Sequence, residues 1–243
     1  MNILVSQKTP ANLNAFKEVE EKYGATVEFC PFYLIEPLSI KEFRAQRINL
    51  PDYTAIVFSS RHAIDAYFKL CDETRFKVPE TMKYFCTTEH VALYLQKHVV
   101  YRKRKIFFGD GTPQSLVGLV TAKHKGEKFL ITTSDESNTA PITTLFGQAG
   151  LDFTVSVMVK SVLQDISGID WSRYGALVLY NHNDLKSLKA SFPDFKQGSL
   201  AIISYGRTIA AELAAAGFEI AVQGPSPDVP SAAKAIDVFL SRQ

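Results

Sequence analysis

Hydroxyl-bearing residues recur in this sequence directly after short apolar segments. They lie in Ser59-Ser60-Arg61, Thr87-Thr88, Thr132-Thr133-Ser134, Tyr180-Asn181-His182-Asn183 and Tyr205-Gly206-Arg207-Thr208. Helix capping is enough to explain any one serine, threonine or asparagine in such a position. Several of them at one place would mean more, because the unpaired backbone N–H groups at helix N-termini also bind anions. The pattern therefore predicts a site for an anionic ligand that does not depend on a strongly basic surface.

Motifs for other chemistries are missing from the sequence. Gly109-Asp-Gly111 lacks the third glycine of a dinucleotide-binding fingerprint, and no GxxxxGK[ST] phosphate loop occurs. GxSxG and HExxH are also absent, which argues against a hydrolase or a metalloenzyme. The three cysteines and five histidines have no metal-ligand spacing, so we expect buried free thiols. We expect neither a cofactor nor a metal.

Charge and composition narrow the choice of partner. The chain has 243 residues and a net charge of +2, which is too small to favour nucleic acid. The basic run at residues 102–105 is typical of a solvated face, although it could add positive potential for an acidic ligand. No apolar run approaches the roughly 20 residues that span a bilayer, and the start MNILVSQKTP lacks the features of a signal peptide. We expect a cytoplasmic protein that does not contact membranes.

A repeated unit must position the hydroxyl-bearing turns. The run Ala55–Phe58 lacks period-2 alternation, which indicates a strand buried on both faces. After the turn at residues 59–61, apolar residues at helical spacing from Ala63 to Cys71 predict an amphipathic helix. Similar strand-turn-helix units follow along the chain. This order favours parallel sheets, because a helical crossover is the ordinary connection between parallel neighbours.

Two extended segments, Pro31–Pro37 and Phe153–Leu163, interrupt the repeat and lead into no helix of their own. We interpret them as crossings between lobes and expect them to pair antiparallel, with a variable angle between the lobes. The predicted fold class is α/β, with two flavodoxin-like lobes of mainly parallel sheets joined by a two-stranded extended linker. The predicted domains are an outer lobe of residues 1–35 plus 163–243, an inner lobe of residues 39–157, and linker strands at 31–38 and 153–163.

Three stretches of the chain resemble the uroporphyrinogen-III synthase family. They are IVFSSRHAI, MKYFCTTEHVALYL and the C-terminal SYGRTIAAELAAAGFEIAVQGPSPDVPSAAKAI, and the resemblance covers essentially the whole chain. It implies a bilobed lyase of tetrapyrrole (heme) biosynthesis with a discontinuous first domain. The implied substrate is hydroxymethylbilane, a linear tetrapyrrole, which loses its hydroxyl and closes with ring D inverted. The resemblance implies no cofactor and no metal, and we expect a monomer.

The resemblance also suggests site residues. The family has a tyrosine in the return crossing, within a pattern like VYRTV, and Val159 stands at that place here. A phenol could assist the loss of the hydroxyl, so Tyr180 and Tyr205 are candidate donors, and no residue is assigned as catalytic. If the missing phenol limits the reaction, we expect Val159→Tyr to raise turnover. The candidate substrate-binding residues are Ser59, Ser60, Arg61, Thr87, Thr88, Ser134, Asn181, Gly206, Arg207 and Thr208.

These residues lie in turns after predicted strands, where ligands bind in open α/β sheets. We expect Ser60, Thr88, Ser134, Asn181 and Thr208 to face a common cleft. Two alternatives remain open. The first is a non-catalytic bilobed binding protein for a tetrapyrrole or another polyanion, and the second is an enzyme of unrelated specificity on the same scaffold.

Overall fold

A computed structural model describes residues 1–134, 139–206 and 208–243. The chain divides into two compact units, which we call the outer lobe (residues 1–34 and 162–243) and the inner lobe (residues 35–161). The outer lobe is therefore built from two separate segments of chain. No helix among the described residues is both long and apolar enough to cross a membrane.

The strands and helices alternate along most of the chain. In order they are β1 (Asn2–Val5), α1 (Asn14–Tyr23), β2 (Thr26–Phe29), β3 (Tyr33–Pro37), α2 (Ile40–Ala45), β4 (Ala55–Phe58), α3 (Arg61–Thr74), β5 (Lys83–Cys86), α4 (Glu89–Tyr94), β6 (Ile106–Phe108), α5 (Pro113–Lys123), β7 (Lys128–Ser134), α6 (Ala140–Gln148), β8 (Asp152–Leu163), β9 (Tyr174–Leu179), α7 (His182–Ser191), β10 (Ala201–Tyr205), α8 (Ile209–Ala215), β11 (Ile220–Gly224) and α9 (Ala232–Leu240).

The outer lobe contains a parallel sheet in the order β11-β10-β9-β1-β2. Counted within this lobe, the order is the 2-1-3-4-5 arrangement of flavodoxin-like folds. Apolar clusters cover both faces of the sheet, with Ile3 and Val5 on one side and Leu4 on the other. Burial on both faces explains why the strands read as continuous apolar runs.

The inner lobe contains a sheet in the order β3-β8-β7-β4-β5-β6. The strands from β4 to β7 and the first part of β8 are parallel, in the 3-2-1-4-5 order of the other common doubly wound fold. At the edge of this sheet, β3 lies antiparallel to β8. The Leu38 N–H donates to the Met158 carbonyl and the Gln164 N–H donates to the Phe32 carbonyl, each over 2.9 Å. The prediction of mainly parallel α/β lobes joined by paired extended strands is confirmed.

The return crossing has a second role that the sequence did not indicate. From Asp152 to Val157 it pairs in parallel register with Lys128 to Thr133, so this half of β8 is a regular strand of the inner sheet. Parallel neighbours need a crossover connection, and α6 supplies it between β7 and β8. No helix therefore has to follow β8. The segment read as a linker alone is thus also a sheet strand.

Helix α2 was not predicted, because it has only six residues and comes directly after the proline-bracketed crossing. A capping box nevertheless marks its start. The Ser39 hydroxyl accepts from the Glu42 N–H over 3.3 Å, and a Glu42 carboxylate oxygen accepts from the Ser39 N–H over 2.9 Å. The Ser-x-x-Glu pattern before the buried Phe43 was the signal that could have found it.

Candidate active site

The hydroxyl-bearing turns of the inner lobe lie after β4 and β5, where they start helices. The Ser60 hydroxyl accepts from the Ala63 N–H over 3.1 Å, and the Thr88 hydroxyl accepts from the Val91 N–H over 3.4 Å. Both residues are extended, as N-caps are. Capping therefore accounts for the residue type at Ser60 and Thr88, and it also brings both hydroxyls to the carboxyl edge of the sheet.

A cavity of about 180 Å³ opens at the same edge of the inner lobe. Its base is apolar, with Val57, Leu116 and Ile131 among the lining residues. Ser59, Thr87, Thr112, Thr132, Thr133 and Thr139 also line the cavity, although its surface is mainly apolar. A mainly apolar lining with hydroxyl-bearing residues at its edge suits a ligand that has both a flat apolar part and polar substituents.

Two further candidates of the inner lobe border these turns. Arg61 is exposed in the first turn of α3, and its Cζ lies 5.4 Å from the centre of the Tyr94 ring. Ser134 ends β7 and is paired in register with Val159. Ser134 and Val159 are therefore neighbours in the inner sheet.

Val159 itself is buried, with 3% of its surface exposed, and it packs in the core of the inner lobe together with Met158. The sequence suggested that this position faces the ligand, as the family tyrosine would. In this chain its side chain faces the core instead, because β8 has a register shift there: Thr133 pairs with Val157, and Ser134 pairs with Val159. The expectation of a gain from Val159→Tyr does not fit this burial.

In the outer lobe, Gly206 lies against the end of β9. A Cβ atom at Gly206 would lie 2.0 Å from the carbonyl oxygen of Tyr180, far inside contact distance. The Gly206 N–H donates to the Gly224 carbonyl over 2.8 Å, which ties the turn to the end of β11. Only glycine fits this close approach, so the turns after β9 and β10 pack directly on one another.

A buried carboxylate supports the turn after β9. Asp184 has no exposed surface, and its Oδ2 accepts from the backbone N–H of Tyr180 over 2.7 Å and of Asn181 over 3.2 Å. Burial raises the pKa of Asp184 to about 6, although hydrogen bonds from the two N–H groups and from the Ser6 hydroxyl favour the charged form.

The two candidate tyrosines pack together at the ends of β9 and β10. Their ring centres are 5.6 Å apart in an edge-to-face arrangement. The Tyr205 hydroxyl donates to the Pro230 carbonyl over 2.6 Å. Burial raises the pKa of the Tyr180 phenol, and the nearby Asp184 carboxylate adds to this effect. The Tyr205 proton is therefore held by the Pro230 carbonyl. The Tyr180 side chain is partly buried and packs against the core of the outer lobe.

Asn181 caps α7 and also contacts the first crossing strand. Its Oδ1 accepts from the Asn183 N–H over 2.9 Å, and its Nδ2 donates to the Tyr33 hydroxyl oxygen over 2.9 Å. Thr208 precedes α8, is exposed, and makes no side-chain capping bond. Arg207, the remaining candidate, lies outside the described residues.

Sequence reasoning missed three residues at these edges. The Thr-Pro pair at the start of α5 could have indicated Thr112, and the Asn-x-x-Asp capping box of α7 could have indicated Asp184. Tyr33 had no local signal, since its partner Asn181 is 148 positions away. Among the described residues, no three His, Cys, Asp or Glu side chains lie together as metal ligands. Whether the candidates of the two lobes face one cleft stays a prediction.

Comparison with known proteins gives a family and a fold. The family model described as uroporphyrinogen-III synthase HemD matches residues 14–234. The structure resembles uroporphyrinogen-III synthetase from Helicobacter pylori with a TM-score of 0.62 at 16% identity, over 100% of this chain and 99% of that one. It also resembles a mutant uroporphyrinogen III synthase from Thermus thermophilus with a TM-score of 0.58 at 14% identity, over 100% of both chains.

No curated protein sequence matches this chain. The family match includes the segments around Val159, Asn181 and Gly206. Nearly the whole chain lies within the match. The chain therefore belongs to the uroporphyrinogen-III synthase HemD family.

Proposed function

We propose that this protein is a uroporphyrinogen-III synthase, a lyase that dehydrates hydroxymethylbilane and closes it with ring D inverted. The family match over residues 14–234 is the observation that carries the proposal. The carboxyl edges of both sheets support it, because they present hydroxyl, amide and backbone N–H groups rather than the motifs of another enzyme class.

The substrate is a polycarboxylate, and the chain has two kinds of group for it. Hydroxyl-bearing residues line part of a mainly apolar cavity in the inner lobe, where a pyrrole ring would fit. Backbone N–H groups at the start of α3 favour carboxylates without a large positive charge. We assign substrate binding to Ser59, Ser60, Arg61, Thr87, Thr88, Ser134, Asn181, Gly206, Arg207 and Thr208.

The reaction asks the protein for two contributions. The departing hydroxyl needs a proton, which a phenol can donate, and the two ends of the bilane must meet. The electron pair of the pyrrole nitrogen stabilises the carbon that the hydroxyl leaves. Binding many substituents of the bilane at once would hold it in a folded conformation, so positioning carries much of the rate.

A product assay tests the proposal. Purified protein is mixed with enzymatically generated hydroxymethylbilane, and the oxidised porphyrin isomers are separated by chromatography. We expect isomer III, since the uncatalysed reaction gives isomer I. Isomer I alone, together with a bilane-dependent rise in Tm, would instead support the non-catalytic binding protein. Isomer I alone without a rise in Tm would support an enzyme of unrelated specificity.

A pair of glycine variants links the activity to the site. Gly206→Ala should lower the rate of isomer III formation by at least tenfold, because its Cβ would displace the Tyr180 carbonyl and with it the turn at Asn181. Gly118→Ala is the matched control, since Gly118 is exposed in α5 and its Cβ would meet nothing within 4 Å. Equal rates for the two variants would argue against this turn as part of the site.

A further inference from the structure

A further cavity of the inner lobe lies at the amino ends of β5 and β6. It has a volume of about 280 Å³ and shares no lining residue with the cavity at the carboxyl edge of the same sheet. Tyr84 near the start of β5 and Ile106 at the start of β6 line it, whereas Thr87 and Thr88 follow the carboxyl end of β5. The cavity is therefore separate from the candidate active site.

Aromatic and aliphatic side chains form much of the wall of this cavity. Met82, Tyr84 and Ile106 are buried in the core of the inner lobe and contribute to the lining. Phe68 and His98 also line it, and their rings are stacked with centres 4.5 Å apart and planes 5° from parallel. Such a wall offers apolar contact and aromatic rings to a ligand that is itself aromatic.

Two cationic side chains line the same cavity, and both belong to the basic run of residues 102–105. The Arg102 carbonyl accepts from the Lys105 N–H over 2.8 Å, which closes a turn between these two residues. The turn brings the side chains of Arg102 and Lys105 to the cavity, whereas Lys103 and Arg104 between them do not line it. The basic run is therefore more than a solvated face.

The protein balances these two charges only weakly. Arg102 lies 3.7 Å from Glu80, whose side chain is 88% exposed, and such a surface pair contributes little. Lys105 is half-buried and forms no ion pair with any described residue. Asp65 lies 2.8 Å from the His98 ring but does not line the cavity. A cation that is partly removed from water beside an apolar wall favours an anionic ligand as its partner.

The surrounding chain adds to the positive potential. Residues 97–105 contain five Lys or Arg residues and no Asp or Glu, in a chain whose net charge is only +2. A local excess of one charge raises the concentration of ions of the opposite charge near it. The potential at the cavity therefore attracts anions although the whole chain is close to neutral.

From this arrangement we propose that the cavity is a binding site for a small organic anion that has an aromatic body and a carboxylate or phosphate group. The rings of the ligand lie against Phe68, Met82 and Tyr84, and its anionic group pairs with Arg102 and Lys105. A guanidinium can donate two parallel hydrogen bonds to one carboxylate or phosphate, and an ammonium adds a compact charge. The ligand displaces the weak partner Glu80. This site goes beyond the proposed function and does not depend on it.

Titration with 2-naphthoate tests the proposal, because this anion carries two fused rings and one carboxylate. Calorimetry on the 243-residue chain should give a Kd on the order of 1 mM or below, as is usual for a ligand of this size. The uncharged 2-naphthamide should bind at least about tenfold more weakly, since it lacks the charge-assisted hydrogen bonds. Equal affinities for the acid and the amide would overturn the proposal.

A second anion, 2-naphthyl phosphate, separates the two kinds of anionic group. Binding of either anion supports the proposal, and the tighter of the two identifies the group that the site prefers. Absence of binding for both would show that the cavity is not an anion site.

Lys105→Gln and Lys103→Gln form a matched pair, because both remove one charge from the same turn and only Lys105 lines the cavity. Lys105→Gln should raise the Kd of 2-naphthoate by about tenfold, whereas Lys103→Gln should change it by less than about threefold. Equal losses would mean that the basic run attracts anions without a specific site, and the proposal would be wrong. Arg102→Gln should match Lys105→Gln, and it provides the same test if Lys105→Gln does not fold.

Arg61→Gln controls for binding at the candidate active site. Arg61 lies at the start of α3 and does not line this cavity, so its replacement should leave the Kd of 2-naphthoate within about threefold of wild type. A loss as large as that of Lys105→Gln would place the anion elsewhere and overturn the proposal. The measurement is binding alone. A failure to form isomer III in the product assay would therefore overturn the proposed function and leave this site unaffected.

Discussion

Asp184 combines complete burial with an ionisable group. Its side chain holds the turn at Tyr180 and Asn181 through two backbone N–H groups. Taking a carboxylate out of water disfavours its charged form, and neutral donors compensate only in part. The turn thus depends on a group that titrates close to neutral pH.

The stability of the protein should therefore contain a component that decreases as the pH rises. Burial raises the pKa of Asp184 from an ordinary value of 3.8 to about 6, so between these values the folded chain keeps a proton that the unfolded chain loses. The free energy of unfolding should fall by about 3 kcal/mol over this interval and stay level above it. Asp184→Asn should lack this component, which denaturant unfolding from pH 4 to pH 8 would measure.

The comparison needs a control for the remaining carboxylates. Asp194→Asn changes an exposed aspartate of the same lobe, and its stability should follow the wild-type pH curve. The free energies of Asp184→Asn and wild type should diverge between pH 4 and pH 6. Parallel curves across that range would show that Asp184 does not retain its proton.

Local interactions explain which of these residues were predictable from the sequence. Ser60 and Thr88 bind N–H groups three positions ahead, and Asn181 binds one two positions ahead, so residue type and spacing were enough to indicate them. Gly206 was chosen from a family pattern, but its physical reason is the carbonyl of Tyr180, which belongs to another strand. Contacts of this kind are set by the tertiary fold and leave no trace in local spacing.

Among the elements, β8 shows how a small irregularity changes what a position can do. Strict alternation would place Met158 and Val159 on opposite faces of the sheet. The register shift after Thr133 leaves Met158 as an extra residue, and both side chains pack in the same inner core, with 2% and 3% of their surface exposed. Hydrophobic pattern predicted an extended segment here, but a bulge is invisible in that pattern because the residues on both faces are apolar.

Val159→Tyr should therefore destabilise the inner lobe rather than supply a catalytic phenol. Overpacking a filled core typically lowers the free energy of unfolding by about 1–3 kcal/mol. Thr154→Tyr, in the half-buried part of the same strand, should lower it less. Thermal unfolding and isomer III formation would be measured for both. Higher turnover in Val159→Tyr at unchanged stability would mean that this side chain can leave the core.

At the scale of the whole molecule, the inner lobe is inserted into the sequence of the outer lobe. The core of the inner lobe therefore comes from one continuous segment, and the core of the outer lobe comes from two. Both apolar clusters of the inner lobe are made only from residues between Phe43 and Val159. Each cluster of the outer lobe mixes residues from the first 34 with residues after 162, as Ile3 with Ile236 and Leu4 with Leu177. The sequence indicated this division because its two extended segments carry no helical period, whereas strand order and register within each sheet depend on long-range pairing.

Fragments should reflect the difference. Residues 35–161 are expected to fold alone and unfold cooperatively, because their cores are complete. Residues 162–243 should stay largely unfolded, since β9 would lose β1 as its sheet neighbour, and should gain structure when a peptide of residues 1–34 is added. Circular dichroism with thermal melts would measure each state, and a cooperative transition of the 162–243 fragment alone would contradict the prediction.

The central position of β1 in the outer sheet also delays completion of that sheet during synthesis on the ribosome. The strand β1 lies between β2 and β9, yet the chain from Phe29 to Tyr174 must be translated before β9 exists. At about 5–20 residues per second this delay is on the order of 10 seconds. Throughout it Ile3, Leu4 and Val5 lack β9 beside them, whereas the inner lobe has every residue of its core before the interval ends. The earliest strand made is thus among the last to gain its second sheet neighbour, and the edge of β1 that will pair with β9 is open to chaperones and to other nascent chains for that whole interval.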